Sequence, residues 1–369
     1  MKKALLIIRW VVGLLFIFSG LIKVNDPLGL SFKMQEFFEV WGVPFFNKFT
    51  LGISIIMNML EVGCGVALLI GFRIKMTIRF LLLLIIFFTF LTGYAVLSGK
   101  IKTCGCLGDC LPLKAGMSFT KDLVLLVLIV LLTIFEKDVK PVFSTVITSS
   151  ILMLTLVACV LVQDTVINYL PYIDCLPFKV GNNILEQMKK PKDYVPDSTV
   201  ITYQYKKGDK QIEFDQNSFP ADFDSTYIFV NRFDKLIRKG TGGAKITDFN
   251  LTTSSGNDTT MTLFGIPKYI LVLSNNYRGE KWLNELIKVK DLCDKNSMPI
   301  FYVTSQSEDI TSRVSKAGIT VLKCDATVIK TAARVNSTYF FMNNATIFKK
   351  YGDRDVDKLL ETTGQLNKL

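Results

Sequence analysis

The chain has 369 residues, half of them apolar and one fifth charged, with a mean hydropathy of +0.36 and a formal net charge of +11. The first 165 residues hold 15 Lys+Arg and 9 Asp+Glu, against 28 and 23 in the rest. This uneven apolarity excludes a wholly soluble enzyme, a collagen-like fibre and a disordered chain. Histidine is absent, which removes Ser-His-Asp and Cys-His nucleophiles, histidine-ligated haem, His-containing zinc sites and imidazole pH switches.

Five apolar stretches are long enough to cross a bilayer as helices, which takes about 20 residues. They run Ala4–Ile22, Leu51–Phe72, Ile78–Leu97, Phe119–Phe135 and Val142–Val162. The first is expected to stay uncleaved, because Ser19-Gly20-Leu21-Ile22-Lys23 is a poor signal-peptidase site. Basic residues flanking the spans divide evenly between the two sides. The start Lys2-Lys3 and the tight Arg73–Arg79 turn favour a cytoplasmic N-terminus. Five spans then carry the soluble half to the periplasmic side.

The first outer loop places Met34, Phe37, Phe38 and Trp41 at i, i+3, i+4 and i+7. This spacing predicts an amphipathic helix, lying on the membrane surface or packed as a lid on the bundle. In the soluble half, Val200–Phe214, Tyr227–Val230 and Leu236-Ile237 predict a small antiparallel sheet with a Gly208-Asp209 turn. From Ile246 onward, strands are expected at Tyr269–Leu273, Ile300–Val303, Thr320–Lys323, Tyr339–Met342 and Thr346–Lys349. Helices are expected at Glu280–Asp294, Asp309–Ala317, Val328–Arg334 and Val356–Asn367, giving a mixed α/β sheet. An Asn343-Asn344 turn makes the last two strands antiparallel.

The most specific local signal is Thr103-Cys104-Gly105-Cys106-Leu107-Gly108-Asp109-Cys110. Three thiols within seven residues fit a redox-active centre, with a labile Cys104–Cys106 bond and Cys110 to attack or resolve it. Lys100, Lys102 and Lys114 would lower the thiol pKa values, and Asp109 would oppose them. A structural disulfide that pins the loop is the plain alternative. A zinc site would need Asp109 or Cys175 as fourth ligand. Glu61 lies mid-span, where a carboxylate either handles protons or anchors hydrogen bonds. Arg9 is expected to snorkel to the inner surface. Cys293 and Cys324 fit buried core positions. There is no flavin, haem or nucleotide motif and no nucleic-acid module, so no nucleic-acid partner is expected.

Phe18-Ser19-Gly20-Leu21-Ile22-Lys23, then Asp26-Pro27 and the Lys33–Trp41 helix, resemble the opening of DoxX-type membrane proteins. The Cys104-Gly105-Cys106-Leu107-Gly108-Asp109 loop is similar to that of the related MauE (methylamine utilisation) group. The segment from Ile246 is similar in pattern to thioredoxin-like domains. It carries no Cys-x-x-Cys near Ser274–Gly279 and no proline near Asn336-Ser337-Thr338.

The resemblance implies a four-helix DoxX/MauE-like bundle over residues 1–140 and a fifth transmembrane helix over 141–164. A juxtamembrane, β-rich region over 165–245 and a thioredoxin-like domain over 246–369 follow. It implies thiol–disulfide or quinone-linked redox work in a bacterial inner membrane, supporting maturation of exported proteins. A quinone is then the expected electron acceptor, and an exported client the expected partner. The thioredoxin-like domain would dock a partner rather than exchange electrons. The competing reading is a non-catalytic scaffold with the subunits of a cell-envelope complex as partners. A transporter is disfavoured, because no two matching halves carry broken helices or paired charges at mid-membrane.

Overall fold

The computed structural model describes every residue except 1, 102, 197, 216, 239, 241, 275–278, 307 and 366–369. Five helices are long and apolar enough to cross a membrane: α1 (Lys2–Asn25), α3 (Thr50–Ile70), α4 (Ile74–Ser98), α5 (Ala115–Ile134) and α6 (Thr145–Asn168). They are the five expected spans, each displaced by a few residues at its ends. Exposed Leu83, Val127, Leu154 and Leu161 face outward, as a lipid solvent requires. Inside, Val12, Leu68, Ile78, Leu81, Ile129 and Leu132 form one apolar core. Helices α1 and α3 approach closely at Gly13 and Gly65. A Cβ on Gly65 would sit 2.8 Å from the Gly13 carbonyl oxygen, so only glycine permits this contact.

Helix α2 (Pro27–Val40) starts where Asp26 accepts a hydrogen bond from the Gly29 amide at 2.9 Å and Pro27 fills the first turn. Its Phe37 is buried with Ala95, Ile101, Cys104 and Ala115, so α2 is a lid on the bundle. Trp41 extends this packing, with its ring 5.6 Å from that of Tyr94.

The chain divides into two compact units, residues 1–182 with 248–369, and residues 183–247. In the first unit, beyond the membrane helices, come α8 (Thr260–Phe264), β4 (Tyr269–Ser274), α9 (Glu280–Lys295), β5 (Ile300–Thr304), α10 (Glu308–Lys316), β6 (Thr320–Lys323), α11 (Ala326–Ala332), β7 (Ser337–Asn343), β8 (Thr346–Gly352) and α12 (Val356–Gln365). The sheet order is β6-β5-β4-β7-β8, with β4, β5 and β6 parallel and β7 and β8 antiparallel. Strand β4 is buried at all six positions, as a central strand covered on both faces must be. The β7–β8 turn holds Asn344 at φ +51° and Ala345, one residue later than the pattern suggests. Cys293 and Cys324 are buried. The stretch 275–278, where a Cys-x-x-Cys would fall, and Lys102 and Asn367 lie outside the described residues.

The second unit holds α7 (Ile184–Met188) and the antiparallel sheet β2-β1-β3: β1 (Ser198–Lys207), β2 (Lys210–Asp215) and β3 (Tyr227–Arg238). Gly208, at φ +60°, makes the β1–β2 turn. One face gathers Tyr205, Phe214, Phe219, Phe223 and Tyr227.

Candidate functional site

Residues 99–114 join α4 to α5, and a Thr103–Lys114 bridge closes the neck of this loop. Gly105 and Gly108 both take positive φ, at +67° and +58°, and the Gly108 amide donates to the Gly105 carbonyl at 3.0 Å. The loop is pressed against its neighbours. A Cβ on Gly105 would meet the Lys33 side chain at 2.9 Å, and one on Gly108 the Ile22 side chain at 2.8 Å.

The structure pairs the cysteines differently from the expected short ring. Cys104 and Cys106 are both free thiols, and Cys110 is bonded to Cys175, 65 residues away. A zinc reading loses Cys110 and Cys175 together, because their thiols are spent on each other. Among the described residues no cluster of three or more Cys, Asp or Glu could hold a metal ion.

At the free thiols, burial outweighs the nearby cations. Burial pushes the Cys104 thiol up to about 11 and the Cys106 thiol up to about 12, and the buried Asp122 carboxylate adds to both shifts. The opposing cations are Lys33 and Lys121 for Cys104, and Lys23 and Lys121 for Cys106.

Beneath the loop lies a buried polar group. Ser19 and Lys23 sit one turn apart on α1 and so share a face. The Lys23 ammonium is 2.5 Å from Glu61 Oε1, and both side chains are buried. It also lies over the Phe88 ring, 4.9 Å from the centroid. The Ser19 hydroxyl is 3.0 Å from Glu61 Oε2 and 2.9 Å from the Cys106 carbonyl oxygen; its one proton serves one acceptor at a time. Asn58 donates to the Lys23 carbonyl oxygen and to Gln163 Oε1, both at 3.0 Å, which ties α6 to this group. On the opposite wall, Asp122 of α5 accepts from Thr92 at 3.1 Å and pairs with Lys121 at 2.5 Å.

Arg9 does not pair with Glu61, and its side chain runs to the end of α3 and the α5–α6 connection. It is buried and donates to the carbonyl oxygens of Leu68 at 2.7 Å, Leu69 at 3.0 Å and Lys140 at 2.8 Å. It thereby satisfies carbonyls that the last turn of α3 leaves open.

A second polar cluster surrounds the disulfide. Arg334, which follows α11 and is buried, pairs with Asp26 at 2.9 Å and with Asp109. Its guanidinium also lies over the Phe32 ring. Lys350 of β8 pairs with Asp174 at 3.0 Å. Burial raises the Asp26 pKa, and the Arg334 guanidinium opposes that shift. Burial lowers the Lys350 pKa, and Asp174 opposes it.

Sequence reasoning found Glu61 and the cysteine loop, and missed Lys23 and Ser19 as partners of Glu61. The available signal was their i, i+4 spacing at the end of the first span. Nothing local in the sequence pointed to Arg334.

Residues 1–135 match the family model of methylamine utilisation protein MauE. The N-terminal part of the chain is therefore MauE-like and membrane-embedded. Residues 199–239, the small antiparallel sheet, match a domain of unknown function (DUF8463). No curated protein and no solved structure matches the chain.

Proposed function

We propose that this is a bacterial inner-membrane protein of thiol–disulfide or quinone-linked redox function that supports maturation of exported proteins. Its N-terminus is cytoplasmic and its C-terminal domain periplasmic. The carrying observation is two free thiols, Cys104 and Cys106, in a loop that shares the Ser19 hydroxyl with the buried Lys23–Glu61 pair, its proton going to the Cys106 carbonyl or to Glu61. Closing those thiols into a disulfide releases two electrons and two protons. Ser19 and Glu61 offer the protons a hydroxyl and a carboxylate beside the loop, and Lys23 holds the carboxylate in place. Cys110, spent on Cys175, has no free thiol in this state to resolve such a bond.

One observation supports a quinone as the acceptor. A groove of about 510 Å³ between α1, α3 and α6 is lined by Leu21, Val24, Val62, Leu154, Ala158 and Val162. Two of these directly follow Lys23 and Glu61. An isoprenoid quinone bound there would supply a two-electron, two-proton acceptor. The strand order β6-β5-β4-β7-β8, with antiparallel β7 beside β4, supports a thioredoxin-like reading of the C-terminal domain. Buried Cys293 and Cys324 suit that domain to docking rather than exchange.

The test is to reduce the purified protein, add a soluble quinone anaerobically, and follow Cys104 and Cys106 by differential alkylation and mass spectrometry. The redox reading expects a Cys104–Cys106 disulfide, lost in Cys106→Ser and slowed in Glu61→Gln. Both thiols remaining alkylatable throughout overturns it.

A scaffold in an envelope complex is the second reading, and the raised thiol pKa values favour it. Thiols held protonated are poor nucleophiles. This reading expects Cys104→Ser and Cys106→Ser to leave the oxidation state of every bound partner unchanged.

A further inference from the structure

The residue before each half of the disulfide is an aspartate, and each aspartate holds a cation from the α/β domain. Asp109 precedes Cys110 and pairs with Arg334; Asp174 precedes Cys175 and pairs with Lys350. The bond thus brings together two chain segments of like charge, and the α/β domain answers both at once. Residues 169–182 complete the connection. Ile173 exchanges hydrogen bonds with Asn25 at the end of α1, at 2.9 and 3.1 Å. Gly181 donates to the Ile347 carbonyl at 2.8 Å, and the Ile347 amide donates to Asn182 at 3.0 Å. The strap therefore runs from the membrane bundle to β8, and the disulfide fastens its middle to the cysteine loop.

We infer that the half-buried Cys110–Cys175 bond is a redox modification site, reduced by a dithiol protein or small dithiol, and that its reduction releases the α/β domain from the membrane bundle. The inference does not depend on what Cys104 and Cys106 do.

Both cysteines are half-buried rather than sealed in the core. The incoming thiolate attacks one sulfur to form a mixed disulfide, and the second thiol of the reductant resolves it. The protein gains two electrons and two protons as Cys110 and Cys175 thiols, and the reductant leaves as a disulfide. With the bond closed, the Arg334 and Lys350 pairs act as one bivalent contact, because forming either presents the other at high effective concentration. With the bond open, Asp109 and Asp174 are free to separate, and the hold of the bundle on the domain falls back on Arg334 with Asp26 and Lys330 with Gln35.

The experiment is hydrogen exchange on the full-length protein in nanodiscs, oxidised and after dithiothreitol, in the wild-type chain and in a Cys104→Ser/Cys106→Ser background. Mass spectrometry confirms which bond has opened. Expected is at least tenfold faster exchange in α11 and residues 169–182 on reduction, reversed by reoxidation, with α1 and α3–α5 unchanged. A Cys110→Ser/Cys175→Ser variant should show the fast pattern without reductant. The proposal is overturned by unchanged exchange in α11 and the strap after the bond has opened, or by a bond that dithiothreitol leaves intact. It is equally overturned if exchange rises throughout the bundle, which would mark the bond as a general staple.

Discussion

Lys23 and Glu61 meet at 2.5 Å inside the membrane bundle, on neighbouring helices and both withdrawn from solvent. Breaking a buried pair strands the remaining charge, at a cost of about 3–5 kcal/mol, whereas replacing both partners by apolar residues is often neutral. Lys23→Met and Glu61→Leu should each lower the thermal midpoint of the detergent-solubilised protein severely. The double variant should recover most of the loss. A double variant as unstable as the worse single would show that the pair is not the source.

The thiols at the loop should behave unlike ordinary cysteines. With Cys104 near 11 and Cys106 near 12, alkylation at pH 7 should be slow. It should rise about tenfold per pH unit through pH 10, since the thiolate fraction grows so below the pKa. A free cysteine levels off near its value of about 8.5. Because the folded values are raised, the stability these thiols contribute is complete below the unfolded value and is lost as pH rises toward 11 and 12. Rates by mass spectrometry between pH 7 and 10 check this, and a plateau at pH 9 would refute it.

Arg334 neutralises two carboxylates, so its removal should cost more than removal of either acid. Arg334→Ala leaves Asp26 and Asp109 facing each other and should destabilise the first unit by about 3–5 kcal/mol. Asp26→Asn should be milder. The raised Asp26 pKa means the folded state holds that proton more tightly. Its contribution is therefore greatest below the unfolded value of about 3.9 and declines as pH rises through the folded value. Across that interval the wild-type midpoint should fall relative to Asp26→Asn, as measured by parallel thermal melts.

Gly65 should tolerate no side chain. Its absent Cβ would lie 2.8 Å from the Gly13 carbonyl and 2.8 Å from the Ile17 side chain. Gly65→Val should separate α1 from α3 and abolish stable expression in membranes, while Gly52→Ala, in open space on the same helix, should be neutral. Quantitative immunoblots of membrane fractions compare the two.

The five spans and the positions of the strands after residue 246 were legible because they rest on local periodicity, which lipid and sheet packing both obey. The five positions of Phe16, Ile78, Leu81, Ile129 and Leu132 in one core follow from the same pattern. What escaped the sequence was pairing across distance. Lys23 reads as an interfacial lysine until α3 brings Glu61 beside it. Cys175 reads as a candidate metal ligand for the loop, although it closes on Cys110. Arg334 ends an ordinary amphipathic pattern, and its partners lie over 200 residues earlier. Burial also reversed an electrostatic expectation, since nearby lysines in the sequence do not set the thiol pKa values once desolvation dominates.

Two membrane crossings, α5 and α6, lie between Cys110 and Cys175. Their covalent union therefore requires an even count of traversals and puts the cysteine loop in the same compartment as the chain leaving the final span. It also dates the bond. During synthesis Cys110 emerges 65 residues before its partner, so this bond cannot close until α6 has been made. A chain sealed at this position is thus one in which α6 has already been made.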